Sequence, residues 1–118
     1  MTRENAYNAI ALVEGAALRL ADATAREMEL EDHRPLIKGE AIKRLMEVAP
    51  NPLTGKAHSV SSAEAVVEQD PTFMEHRRTQ RSAVADRILM QGRYETAKLR
   101  ARLAVELAAV DSVAQEID

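Results

Sequence analysis

Residues 85–117 read ADRILMQGRYETAKLRARLAVELAAVDSVAQEI. Within them Ala85, Leu89, Gly92, Thr96, Leu99, Leu103, Leu107, Val110, Ala114 and Ile117 recur at steps of three and four without a break. That is the repeat of one helix face, not of strand alternation. No proline interrupts residues 72–118, and Asp70-Pro71 has the form of an N-cap followed by proline at the first helical position. The spacing therefore predicts one long helix from about 71 to 117. Gly92 and Thr96 place small side chains in mid-stripe, where an opposing helix can come close. Leu89, Gly92, Leu99, Leu103, Leu107 and Val110 are accordingly read as helix-packing residues.

A second arm precedes it. Ala6, Ile10, Val13, Ala17 and Leu20 share the same spacing, bordered by many alanines, and Thr2 or Asn5 can cap the start. Ile10, Val13, Ala17 and Leu20 are read as its packing residues. Pro35 interrupts the pattern because it has no amide hydrogen and its ring meets the carbonyl four residues back. The periodicity resumes through Ala41, Ile42, Leu45 and Met46, so the first arm spans about 5–48 with a kink or a break near 35. Residues 49–59 read as a polar loop punctuated by Pro50, Pro52 and Gly55, and Ser61 with Glu64 has capping-box spacing, so a short helix is expected inside a connector at 49–70. Two long arms with a compact link bury most apolar area when antiparallel. The expectation is a single all-α domain over residues 1–118: a long, coiled-coil-like helical hairpin with a short connector helix. One layer of helices makes a thin core, which points to a homo-oligomer.

Composition narrows the class further. Of 118 residues, 46% are apolar but only 3% aromatic, and much of the apolar share is alanine, suited to close helix–helix contact. Zero cysteines exclude disulfides, thiolate zinc sites and thiol nucleophiles. No stretch approaches about 18 uncharged apolar residues, and the first 20 residues lack the pattern of a signal peptide, so no membrane contact is expected.

The net charge of −3 conceals an asymmetry. Residues 1–32 hold three basic against seven acidic side chains, whereas residues 72–103 hold eight basic against three acidic. Opposite charge on paired arms sets their register. The same basic run is a candidate phosphate-tracking strip: Arg77, Arg78, Arg81, Arg87, Lys98 and Arg102, with Lys56 assisting from the connector. Phe73 and Tyr94 are the nearest aromatics, too few for base stacking to lead. The fragment around Gly55-Lys56 fails as a phosphate loop, since Pro50 stands where a glycine is needed and Ala57 where Ser or Thr is needed. His33, His58 and His76 are scattered, and Glu27, Glu29, Glu31 and Asp32 read as a solvated acidic run. No metal site, catalytic residue, cofactor or small-molecule substrate is expected.

The connector motif Asn51-Pro52-Leu53-Thr54-Gly55-Lys56-Ala57-His58-Ser59 and the tail Tyr94-Glu95-Thr96-Ala97-Lys98-Leu99-Arg100-Ala101-Arg102-Leu103 resemble small helical-hairpin accessory proteins of tailed bacteriophages and prophages. The resemblance implies a place beside phage replication and recombination functions, in the cytoplasm of a bacterial host. With the basic strip, it leads to a non-enzymatic helical oligomer that acts in DNA transactions by contacting single-stranded DNA or a DNA-bound protein. The alternative is a structural or interaction module that binds a helical phage or host protein and no nucleic acid.

Overall fold

A computed structural model of the chain describes residues 2–47 and 55–117. Helix α1 spans Arg3–Glu47, a short helix α2 spans Val60–Val66 and runs into a 3₁₀ turn at Val67–Gln69, and helix α3 spans Pro71–Ile117. The two long helices pack as an all-α hairpin, with α2 in the connector. Pro50, Pro52 and most of the expected loop at 49–59 lie outside the described residues.

The ends form where local chemistry supplies partners. Thr2 accepts the amide of Asn5 on its hydroxyl at 3.3 Å, which satisfies one of the first-turn donors of α1. Helix α1 does not end at Pro35. One lost internal bond costs about 3 kcal/mol, and apolar packing on the far side, through Ile37, Ala41, Ile42 and Leu45, offsets it. Helix α2 starts two residues before the expected capping box: Ser59, with extended backbone, accepts the amide of Ser62 at 3.2 Å. Ser61 and Glu64 therefore sit inside the helix, exposed. Asp70 caps α3 as its sequence suggests, accepting the amide of Phe73 at 3.0 Å.

Contacts group the chain into two units, residues 1–25 with 85–118, and residues 26–84. In the first, the α1 segment buries Ala6, Ala16 and Ala23, and Ala9, Val13, Ala17 and Leu20 are half-buried. The α3 segment buries Ala101 and Ala104, with Arg87, Met90, Tyr94, Ala97, Ala108 and Asp111 half-buried. Ala17 apart, these positions advance on both segments by alternating steps of three and four, the heptad rhythm of a coiled-coil seam. The seam is lined mostly by methyl groups, so it is a close contact with little apolar volume.

The α3 positions in that seam are not the stripe expected to pack. Leu89, Gly92, Leu99, Leu103, Leu107 and Val110 are all exposed, as is Ile10 on α1, whereas Val13, Ala17 and Leu20 do turn inward. Alanines let the backbones approach; leucines at the same places would hold them apart. The small-residue face therefore closes the hairpin, and the large-residue face is left outside.

The second unit holds the only large side chains that are completely enclosed among the described residues, Val67 and Phe73. They cluster with Ala41, and Ile37, Ile42 and Leu45 pack around them. Asp70 ties this corner together: the oxygen that caps α3 also accepts from Arg44 Nη2 at 2.8 Å, and the Asp70 side chain is only 10% exposed. His76 Nε2 lies 3.0 Å from the carbonyl of Leu30, so that nitrogen carries the proton and donates. His58 is buried beside Ser62, whose hydroxyl lies 3.1 Å from Nδ1.

Candidate interaction surface

In the first unit, apolar side chains on the outer face of α3 meet solvent. Leu89, Leu99, Leu103, Leu107 and Val110 are between 38% and 62% exposed. Single exposed leucines are ordinary on a protein surface; a contiguous run on one helix face marks a contact site. Between them Gly92 and Thr96 form a low section of the face. Beyond its chain neighbours and its own helix backbone, nothing comes within 4 Å of the place a Gly92 Cβ would take, so no packing within the chain calls for a glycine there.

The flank of this face that borders α1 is a groove of about 740 Å³. Asn5, Ala9 and Leu12 of α1 line it from one side, and Leu89, Gly92, Thr96 and Leu103 of α3 from the other, with Arg93 and Arg100 also at its lining. No carboxylate or histidine is among these residues, so the Thr96 hydroxyl has no base beside it in the lining. An apolar trough with two guanidinium groups suits a row of aliphatic side chains and offers no acid–base pair for chemistry. Leu12, Arg93 and Arg100 were not among the expected site residues. The signal for the two arginines was their spacing, one on each side of the Thr96–Leu99 turn and seven residues apart.

The structure distributes the expected phosphate-binding residues between both units. In the second, Arg77 Nη1 lies 2.9 Å from Glu68 and Arg78 Nη1 lies 3.4 Å from Glu75. Arg81 is exposed one turn on. Lys56 is exposed in the connector, ahead of α2. In the first unit, Lys98 lies 3.1 Å from Glu95 and its ammonium stands 4.7 Å from the centre of the Tyr94 ring. Arg87 is half-buried in line with the seam, and Arg102 is exposed. Arg77, Arg78 and Lys98 each carry a carboxylate with them, which lowers the local positive potential that would draw a phosphate backbone. Phe73 is fully buried and the Tyr94 ring already has a cation against it, so neither is an open stacking platform.

Among the described residues, no three His, Cys, Asp or Glu side chains converge to hold a metal ion. No helix among them is long and apolar enough to cross a membrane. Comparison with protein-family models, with curated proteins and with solved structures finds no match. The functional reading therefore rests on the surface itself.

Proposed function

We propose that the chain is a non-enzymatic helical interaction module whose outer α3 face receives a helix from another protein molecule. One observation carries the reading: the largest aliphatic side chains of α3 in the first unit point away from the hairpin seam, which alanines occupy instead. Helix-in-groove recognition uses just such anchors, spaced at three and four residues. Contact with protein is favoured over contact with DNA because Arg77, Arg78 and Lys98 are already paired with carboxylates.

The reading is tested by installing a photo-crosslinking amino acid at Leu99, and at exposed Glu64 on α2 as a control, in cells that make the protein. A discrete protein adduct is expected from position 99 and none from position 64. Equal or absent adducts at both positions would overturn it. A fluorescent single-stranded oligonucleotide at low salt should show no binding that Arg81→Glu weakens; steep, salt-sensitive binding lost in that variant would instead favour the nucleic-acid role.

A further inference from the structure

Helix α1 is held most loosely around its proline. Residues 31–36 are all exposed, a run longer than one and a half helical turns. The helix is anchored on either side: Glu27 and Leu30 are half-buried before the run, and Ile37 is half-buried and Ala41 buried after it. These positions continue one rhythm of threes and fours only if residue 34 belongs to the seam. Arg34 stands there, exposed. A gap of about 170 Å³ lies beside it, lined by Glu27, Glu31 and Arg34 of α1 and by Gln80 and Val84 of α3.

The backbone is weak at the same place. Pro35 has no hydrogen to donate to the carbonyl of Glu31, and its ring crowds that carbonyl. From α3, His76 reaches into the turn just ahead, where its Nε2 donates to the carbonyl of Leu30 at 3.0 Å. In an α-helix that carbonyl also receives the amide of Arg34, the last bond before the gap that the proline leaves. Sparse packing and a missing backbone bond make a stretch that opens before its surroundings do. We infer that α1 is hinged at residues 31–36 and that His76 is the latch that keeps the hinge closed. The turn unwinds and reforms while the helix on either side of it stays intact. Leu36, the bulkiest apolar side chain in the run, is already 62% exposed, so opening gives up little buried apolar surface. Beyond the hinge, the cluster of Ala41, Val67 and Phe73 stays enclosed.

Amide hydrogen exchange of the full chain, read residue by residue by NMR, tests the inference, because it reports rare openings. After correction for intrinsic rates, residues 32–34 and 36–38 are expected to exchange about ten-fold or more faster than residues 27–30 and 41–45. Pro35→Ala restores the missing bond and is expected to slow the turn to the rate of its flanks. His76→Ala is expected to speed exchange in the turn several-fold and to leave the amides of Val67 and Phe73 at their original rates. His76→Gln, whose side-chain amide carries a donor at a similar reach, is expected to return most of the protection. A turn that exchanges no faster than its flanks, or that Pro35→Ala leaves unchanged, would overturn the hinge. Exchange in the turn unmoved by His76→Ala, raised equally across residues 26–84, or not rescued by His76→Gln, would overturn the latch.

Discussion

Replacing Gly92 by alanine separates the needs of the single chain from those of the pair. A glycine in the interior of a helix costs about 0.5–1 kcal/mol relative to alanine, because more backbone freedom is lost on folding. At position 92 the added methyl meets nothing within 4 Å beyond its chain neighbours and its own helix backbone, so the isolated chain receives that gain without a clash. For a chain of this size about 1 kcal/mol corresponds to a rise of roughly 4 °C in melting temperature. A helix seated on the outer face of α3 comes closest over the low section at Gly92 and Thr96, where the same methyl would meet it. Overpacking costs about 1–3 kcal/mol. The helix gain is common to the free and bound chain and cancels in association, so binding should weaken by about 2 kcal/mol, roughly 30-fold. Thermal unfolding of the purified chain, together with the yield of the protein adduct through position 99 in cells, reads both signs on one variant. Gly39→Ala is the matched control, since Gly39 is a helical glycine in α1 with equally open space around its Cβ position; it should raise the melting temperature equally and leave the adduct unchanged. Gly92→Ala that stabilised the chain and also left the adduct intact would refute the close approach.

Five further substitutions probe the second unit. Phe73→Ala empties the centre of its enclosed cluster with Ala41 and Val67 and should cost about 3–5 kcal/mol in urea unfolding, a large part of the stability of an ordinary domain. Asp70→Ala removes the α3 cap and strands Arg44, which is 45% exposed and can be solvated. The expected loss is therefore mostly that of the cap, about 0.5–2 kcal/mol, and Arg44→Ala should cost under about 1 kcal/mol. Ser59→Ala should lower stability by about 1 kcal/mol through loss of its bond to the Ser62 amide, whereas Ser61→Ala should change it by only a few tenths of a kcal/mol; the reverse order would show the cap to be misplaced.

How far these features could be read from residues alone depends on whether a local or a distant partner decides them. Caps are local: Asp70 was legible, and Thr2 was one of two candidates beside Asn5, because each acceptor meets an amide three residues ahead. Ser59 and Ser61 compete for one role in a run of serines, and only the extended backbone at Ser59 decides between them. Pro35 left two outcomes open, since the energy that keeps α1 intact lies in side chains packed beyond it. Phe73, weighed as a stacking residue, turned out to be enclosed core, which depends on Val67 and Ala41 arriving from elsewhere in the chain.

The α3 faces teach the most, because periodicity finds a face but not what it meets. Two stripes at the same spacing run along this helix. The one through Leu89, Leu99 and Leu103 is the more hydrophobic, so it drew the packing assignment. The one through Tyr94, Ala97, Ala101 and Ala104 is interrupted upstream by Arg87 and Gln80 and looks weaker, yet it is the buried one. Hydrophobicity ranks faces by the free energy gained on burial, whereas the hairpin is closed by the face that lets two backbones come nearest. When one helix carries both, the small face is used within the chain and the large face remains for the next molecule. The stripe that misled as an account of the hairpin is therefore the best evidence for what the hairpin binds.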